Sequence, residues 1–141
     1  MNAPKVLSFE EISEGQTAFL ERKMDGAMIR AFADLTGDRN PLHVDDAFAA
    51  GTRFKGRIAH GLCLASLVST LVGMELPGRD ALILSQSTEF RLPVFPGDTV
   101  RVQVTVKRKI ASARILDMES SATNQSDEKV MSGTVRVMVL G

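Results

Sequence analysis

The stretch IAHGLCLASLVSTLVGMEL, residues 58–76, is the most apolar part of this chain, and it decides the fold. No full charge occurs between Arg57 and Glu75. A membrane span of this length would be barely long enough, and the small and polar residues within it disfavour a span further. We therefore predict a buried helix of a soluble protein. Its N-terminal end at His60 and Gly61 presents unpaired backbone N–H groups, which can hold a developing oxyanion.

Length and composition limit what the rest of the chain can be. With 141 residues, 44% of them hydrophobic, the chain suits a single domain, residues 1–141, with a substantial core. Seventeen basic and 17 acidic side chains cancel, so no global field favours nucleic acid or a membrane surface as a partner.

The single cysteine and the first residues indicate where the protein works. Cys63 lies inside the apolar stretch, so one chain can form neither a disulfide framework nor a cysteine-based metal site. Residues 1–15 contain no long apolar run, which argues against a secretory signal. We expect the protein to remain in the reducing cytoplasm.

Helices are predicted before the apolar stretch. Asp25 is a typical N-cap for a helix in which Met28, Phe32 and Leu35 recur at helical spacing, and Gly37 can end that helix. The next segment, residues 37–43, cannot continue the helix, because Pro41 lacks an N–H group and drives the preceding residue towards an extended conformation. We predict a constrained loop there, followed by a short helix over residues 45–50 and a basic loop over residues 51–57.

Strand patterns lie on both sides of the helices. Residues 17–22 suit one strand, and residues 82–90 alternate with a period of two. The clearest strand follows, with one buried and one wet face, and two further alternating segments end the chain. The apolar positions of these three strands are Val100, Val102, Val104 and Val106, then Leu116, Met118 and Ala122, then Val135, Val137 and Val139.

These elements predict an α+β architecture. Four consecutive antiparallel strands form a meander that needs a cover, and the long apolar helix supplies it. A curved antiparallel sheet wrapped around one long helix, here residues 61–76, describes the hot-dog fold. One helix and five strands leave the sheet with open edges, so we expect pairing with a second copy in a homodimer or a higher oligomer.

Asp38 and His43, five positions apart in a proline-stiffened loop, form a candidate acid/base pair. Both side chains titrate in a useful range, and the loop can direct both towards one water molecule. A structural interpretation competes with this one: Asp38 caps a turn, Asn40 makes an Asx-type bond and His43 fills a polar niche. Metal binding is disfavoured, since two candidate ligands without cysteine support make a poor zinc site.

The sequence resembles a known family over nearly its whole length. The run FADLTGDRNPLHVD, residues 32–45, is followed by AFA at residues 47–49 and by His60-Gly61 opening an apolar helix. Together these motifs resemble the signature of the MaoC-like, (R)-specific enoyl-CoA hydratases. The resemblance implies a hot-dog dimer that reversibly adds water to trans-2-enoyl-CoA, giving (R)-3-hydroxyacyl-CoA, with no metal and no cofactor beyond the coenzyme A of the substrate.

The same resemblance implies roles for individual residues. Asp38 and His43 would be the catalytic pair that holds the water, and the Gly61 N–H would polarise the thioester carbonyl. Ser69 resembles a helix serine that supports the site. Asn40 would brace the loop, and His60 would support the site, although a histidine at a helix start is more often structural.

Two basic clusters could meet the phosphates of coenzyme A. One consists of Arg53, Lys55 and Arg57, and the other spans residues 107–109. Each could equally be solvated surface.

Several functions stay open at this point. The nearest is a 3-hydroxyacyl thioester dehydratase acting on acyl carrier protein or on a specialised CoA ester, with the same pair running the reverse reaction. A non-catalytic acyl-thioester-binding module and a thioesterase are the others. Neither the acyl chain length nor the pathway, polyhydroxyalkanoate precursor supply or fatty acid metabolism, follows from the sequence.

Overall fold

The computed structural model describes residues 2–141 and contains four helices and five strands. The helices α1 to α4 span Gly26–Thr36, Pro41–Val44, Asp46–Ala50 and Gly61–Met74. The strands β1 to β5 span Thr17–Lys23, Ala81–Phe90, Thr99–Ile110, Ile115–Thr123 and Lys129–Val139. Apart from α2, the α+β elements lie where the sequence predicts them.

The strands form one antiparallel sheet in the order β1-β3-β4-β5-β2. The prediction of a simple four-strand meander is wrong in one respect, because β2 pairs with β5 at one edge and not with β3. Residues 91–98 make this possible by crossing the open end of the core. The carbonyl of Val94 accepts from the Ala59 N–H (2.7 Å), and that of Asp98 accepts from the Met24 N–H (2.7 Å). This crossing places the chain beside the start of α4.

Helix α4 lies in the hollow of the sheet and packs against β1, β2 and β3. The predicted inward faces are confirmed, since the four valines of β3 and the apolar positions of β4 and β5 are almost fully buried. The hot-dog arrangement is therefore confirmed as well. The buried side chains of α4 are Cys63, Leu64, Ala65, Leu67, Val68, Leu71 and Val72. None of the helices in residues 2–141 combines the length and apolarity that a bilayer span requires.

Helix α1 begins and ends as its sequence predicts. The Asp25 carboxylate accepts from the Met28 N–H (2.9 Å), and Gly37 ends the helix in the left-handed conformation at φ 80°. The predicted apolar face was partly wrong. Leu35 is 83% exposed, whereas Ile29 and Ala33 are buried. These two lie four residues apart and so share one face of the helix, which turns Leu35 outward.

The segment predicted as a continuous loop contains the one-turn helix α2. Proline is tolerated at the first helical position, where its missing N–H has no helical partner, and the Asn40 side chain accepts from the Leu42 N–H (3.0 Å). The Asp45 carboxylate then caps α3 by accepting from the Phe48 N–H (3.0 Å). His43 therefore sits on a capped helical turn and not in the constrained loop that the sequence predicts.

Candidate active site

The N-terminal end of α4 has unused hydrogen-bond donors. The His60 carbonyl accepts from the N–H groups of Cys63 (3.1 Å) and Leu64 (3.3 Å), but no side chain caps the helix. Within residues 2–141, no backbone carbonyl outside the helix accepts from the N–H of Gly61 or Leu62. These two donors, at the positive end of the helix dipole, are available to a ligand oxygen.

The loop after α1 holds Asp38 through short local bonds. Its N–H donates to the Thr36 hydroxyl (3.2 Å), and its carboxylate accepts from the Asn40 N–H (3.2 Å). Because Asn40 also caps α2, the turn that presents Asp38 is continuous with the turn that carries His43. The Asp38 carboxylate is solvent-exposed and keeps acceptor capacity for a further partner.

His43 is held from its ring and from its backbone. Nδ1 lies 2.8 Å from the carbonyl oxygen of Ile58, and since a carbonyl can only accept, Nδ1 must carry the hydrogen. The opposite nitrogen, Nε2, is left for the site. The His43 carbonyl accepts from Arg57 (3.3 Å), whose guanidinium also binds Asp46 at 2.6 Å. Residues 57 and 58 thus fix the orientation of this imidazole.

His60 lies beneath His43, where it is 2% exposed. The two rings are stacked with centroids 3.9 Å apart, and Phe32 contacts His60 at 4.9 Å. His60 Nε2–H donates to the backbone carbonyl of Asp38 (2.9 Å). Within the part of the chain that the structure describes, its buried Nδ1 has no hydrogen-bond partner.

These elements bring Asp38 and His43, from one continuous segment, together with His60 at the start of α4. One carboxylate oxygen and one nitrogen of each ring all lie within 4.8 Å of one another. A carboxylate and two imidazoles are ligands that transition metals accept. A shared ion would need the in-plane lone pairs of both rings to converge, and rings stacked at an interplanar angle of 29° do not favour this. The arrangement suits proton transfer better than metal binding.

A cavity of about 260 Å³ opens beside the stacked histidines. His43, His60 and Gly61 form part of its wall, and Asp38 does not line it but has a carboxylate oxygen within 4.8 Å of a nitrogen of each ring. The other lining residues are Arg53, Phe54, Ile58, Ala59, Leu64, Phe90, Arg91, Leu92, Pro93 and Val94. Polar groups therefore meet at one side of a largely apolar cavity, as is typical of small-molecule sites.

Phe90 was not anticipated as a site residue. A Cβ atom added at Gly61 would lie 2.9 Å from the Phe90 ring, which is closer than real side chains approach. Glycine therefore lets this ring pack directly against the start of α4. Nothing in the pattern of β2 distinguishes Phe90 from any other apolar residue at a strand end, so the sequence carried no signal for it.

The structure places one of the other predicted residues at the cavity and the rest away from it. Arg53 lines the cavity, and Lys55 is exposed on the same loop but does not line it. Arg57 is engaged by Asp46 and the His43 carbonyl, which explains its charge without a phosphate. Ser69 is exposed on α4 and lies outside the cavity of one chain, eight residues beyond Gly61 or roughly 12 Å along the helix axis.

The basic side chains of the second cluster already have contacts within the chain. Arg108 binds Asp117 (2.8 Å), Lys107 lies 3.9 Å from Glu119, and Lys109 donates to the carbonyl of Ile12. None of residues 107–109 lines the cavity. These contacts on the surface of the sheet account for the three basic side chains without a phosphate.

Cys63 adds no reactive group to the site. Burial raises the pKa of its thiol, and the charge of Arg22 offsets this only in part. A thiol of raised pKa remains protonated and is a weak nucleophile. Its position on the buried side of α4 is that of a core residue.

Comparison with known proteins gives this geometry a context. Residues 8–128 match the family model described as MaoC like domain. A 3-hydroxybutyryl-CoA dehydratase from Methylorubrum extorquens is 41% identical over 135 residues, covering 96% of this chain and 85% of that protein. An (R)-specific enoyl-CoA hydratase from Aeromonas caviae is 48% identical over 100 residues, covering 71% of this chain and 75% of that protein.

A solved structure shows the same fold. The (R)-hydratase from A. caviae involved in PHA biosynthesis superposes with a TM-score of 0.89 at 39% sequence identity. The alignment covers 92% of this chain and 98% of that chain. The similarity therefore extends over almost the whole fold.

Proposed function

The chain belongs to the family of MaoC-like domains, and from this membership we propose that it is an (R)-specific enoyl-CoA hydratase. It adds water reversibly to trans-2-enoyl-CoA to give (R)-3-hydroxyacyl-CoA. The observation that carries the proposal is the meeting of the Asp38 carboxylate and the His43 ring at the mouth of a cavity whose wall includes the unpaired N–H of Gly61.

Each part of this geometry matches a need of the reaction. Attack of water at C3 of an α,β-unsaturated thioester moves electron density onto the carbonyl oxygen. The Gly61 N–H and the dipole of α4 stabilise that negative charge more than they stabilise the neutral ground state. The bare backbone of Gly61 allows the thioester to approach the helix start closely.

The proton balance assigns complementary roles to the pair. Asp38 takes a proton from water as its oxygen bonds to C3, and the C2–C3 double bond opens. His43, held through Nδ1–H by the Ile58 carbonyl, presents an Nε2 lone pair that takes this proton from Asp38 and passes it to C2. The proton lost by water thus ends on C2, and both side chains return to their starting protonation states.

The direct test is an assay of hydration. Loss of the conjugated thioester absorbance is followed with trans-2-enoyl-CoAs of increasing chain length, and the product is analysed on a chiral column. The proposal predicts formation of the (R)-alcohol with no release of free thiol. Tight binding without turnover at every chain length would contradict it and favour a non-catalytic module, whereas thiol release would favour a thioesterase.

Dehydration of a 3-hydroxyacyl thioester is the second candidate, and the name of the M. extorquens relative supports it. The same residues serve both directions, because Asp38 in its protonated form can donate to the leaving hydroxyl. Paired measurements on CoA and carrier-protein thioesters of the same acyl group distinguish the carriers. We expect the CoA esters to be preferred.

Arg53 is the basic residue that fits a phosphate contact best. It lines the cavity, and within residues 2–141 no carboxylate lies within salt-bridge distance of it. We expect Arg53→Gln to raise KM for enoyl-CoA with little change in kcat, and the matched surface variant Arg101→Gln to leave both unchanged. An enoyl-pantetheine thioester lacks the nucleotide phosphates, so Arg53→Gln should not weaken its use. An equal loss with both substrates would contradict the phosphate role.

A homodimer, or a higher oligomer, is part of the proposal. Strand β2 is an edge strand with Leu82 and Leu84 each more than 40% exposed, and Leu62 on α4 is 68% exposed. Pairing of β2 edges would cover such apolar surface. Sedimentation at micromolar concentration should give about twice the chain mass, and Leu84→Arg should weaken association. Leu35→Arg, at an apolar site 83% exposed on α1, is the control. A monomeric and fully active wild type would contradict the dimer.

The reaction as proposed uses no metal and no separate cofactor, and we propose a cytoplasmic location, which a single free, buried cysteine supports. Prolonged dialysis against a chelator should therefore leave the hydration rate unchanged. Loss of activity that zinc restores would show instead that Asp38, His43 and His60 act as metal ligands.

A further inference from the structure

We infer that His60 is a positioning residue that holds both members of the proposed catalytic pair in place, an inference that rests on the proposed function. His60 precedes Gly61 in the chain and forms the boundary of α4. Its ring contacts the Asp38 segment and the His43 ring at the same time. It thereby links the acid/base pair to the helix end that faces the carbonyl.

The burial of His60 shows that it has more than a surface role. The side chain is 2% exposed, and Nδ1 has no hydrogen-bond partner within the described chain. An unpaired polar atom in a protein interior is unfavourable, and an apolar residue of similar shape would avoid the penalty. Stability alone therefore does not explain an imidazole at this position.

The ring contacts explain what the imidazole does. Nε2–H donates to the Asp38 carbonyl at 2.9 Å, which fixes the backbone that presents the carboxylate. The flat ring lies 3.9 Å from that of His43 and limits the tilt of its neighbour. His43 keeps its hydrogen on Nδ1, bonded to Ile58, so its Nε2 is directed by a hydrogen bond at one end and by a stacked ring beneath. Small errors in such placement reduce catalytic rates strongly.

Two kinds of variant separate these contacts. His60→Phe keeps a flat ring but removes the donor to Asp38, and His60→Gln keeps a donor but removes the ring. We expect His60→Phe to lower kcat roughly 10- to 100-fold with little change in KM and with a melting temperature equal to or above that of the wild type. His60→Gln should recover part of the lost kcat. If His60→Phe does not fold, His60→Leu removes the donor and the flat ring together and should lower kcat at least as much.

Nuclear magnetic resonance adds a readout that needs no substrate. The chain contains only two histidines, so in His60→Phe the remaining imidazole is that of His43. In long-range ¹H–¹⁵N spectra at about pH 8, where a histidine is ordinarily neutral, we expect wild-type His43 in the Nδ1–H form and His60 in the Nε2–H form. The single histidine of His60→Gln, which has lost the stacked ring, should shift towards a mixture of both tautomers, whereas that of His60→Phe, which keeps a flat ring, should stay in the Nδ1–H form.

The two readouts distinguish the inference from the proposed function. If the wild type hydrates no enoyl-CoA but the His43 tautomer still changes in His60→Gln, the proposed function fails while the positioning role stands. A folded His60→Phe protein that keeps the wild-type kcat, together with a folded His60→Gln protein that keeps a pure Nδ1–H form of His43, would overturn the inference. A drop in activity that only follows a drop in melting temperature would overturn it as well.

Discussion

The middle of α4 and its N-terminal end belong to one helix, but the middle is tightly packed whereas the N-terminal end leaves polar groups without partners. Around Val68 and Leu71 the helix is enclosed by apolar strand residues, and these side chains are completely buried. At the N-terminal end the helix has no side-chain cap, and His60 buries a nitrogen without a partner. The lack of an N-cap side chain costs about 0.5–2 kcal/mol, and an unpaired buried polar atom costs about 1–3 kcal/mol.

This difference assigns stability and chemistry to separate parts of the molecule. The middle of α4 follows the rules of core packing, while the N-terminal end keeps donors and acceptors free for a ligand. Substitutions around Leu71 should therefore change the free energy of unfolding. Substitutions around Asp38, His43 and Gly61 should change the rate.

The largest effects are expected at the acid/base pair. Asp38→Asn keeps the shape of the side chain but removes the proton acceptor, and His43→Ala removes the group that orients water and relays a proton. Each change should lower the hydration rate roughly 100- to 10,000-fold, the usual contribution of general acid/base catalysis. The melting temperature should change little, because Asp38 is exposed and His43 is only partly buried.

The structural interpretation of the pair makes the opposite prediction. If Asp38 serves only to cap the turn, Asp38→Asn lowers the melting temperature, and activity falls only with the folded fraction. A stable Asp38→Asn protein with nearly normal hydration would remove the residue from the mechanism.

A smaller effect is expected at Gly61. Gly61→Val places a side chain between the helix start and the Phe90 ring, and it should lower kcat by about 100-fold, comparable to the loss of one oxyanion-hole donor. The fold should persist, because Phe90 is 50% exposed and can move aside. Kinetics and circular dichroism of the variant measure the two properties.

The double variant Gly61→Val/Phe90→Leu shows which contact matters. If the glycine is needed for the approach of the thioester, removing the Phe90 ring restores little activity. Full recovery would mean that the only role of Gly61 is to accommodate that ring, and the carbonyl would then be held elsewhere.

In the middle of α4 the expected loss is one of stability. Leu71 is completely buried, and truncation of such a leucine to alanine costs about 2–5 kcal/mol. Denaturant unfolding of Leu71→Ala should show this loss, while kcat measured well below its melting temperature stays within about twofold of the wild type. A large fall in kcat in the folded variant would show that the two parts of α4 are coupled.

The smallest effect is expected on the outer face of the sheet. Hydrogen bonds from Arg136 and Arg108, opposed in part by desolvation, lower the pKa of Asp117 from 3.8 to about 2. A lowered pKa in the folded state stabilises the protein above pH 3.8, and this contribution is lost as the pH falls towards 2.

Unfolding of wild type and Asp117→Asn between pH 5 and pH 2 tests this. The wild type should be the more stable protein at about pH 5 by at most about 1 kcal/mol, since the carboxylate is partly exposed, and the difference should vanish near the lower limit. Activity per folded molecule should be the same in both. A difference that is independent of pH would show that the ion pairs do not contribute.

Much of the fold could be predicted because the spacing of apolar residues along the sequence directly reflects which side chains are buried. The valines of β3 and the apolar run of α4 identify the two layers of the core. The order in which the strands pair has no such pattern in the sequence, since the partner of β2 depends on how residues 91–98 cross the core. The exposure of Leu35 was also missed, because several apolar positions of α1 fit a helical spacing and only packing selects among them.

The site was predictable as a motif but not as an arrangement. The run from Asp38 to His43 and the pair His60-Gly61 are visible in the sequence, and the structure brings them to one cavity. The stacking of the two rings, the contact of Phe90 with Gly61 and the bonds of Arg57 are tertiary contacts without a local pattern. Arg57 shows the limit clearly, since charge alone suggested a phosphate contact.

The most direct test of the whole account is the hydration rate of the Asp38→Asn/His43→Ala double variant, measured beside both single variants and the wild type. If the two side chains act on one water molecule, removing the second should cost much less than its single loss, so the double variant should be only slightly slower than the worse single variant. Losses that multiply in a stably folded double variant would contradict the account, because they would show that Asp38 and His43 act independently.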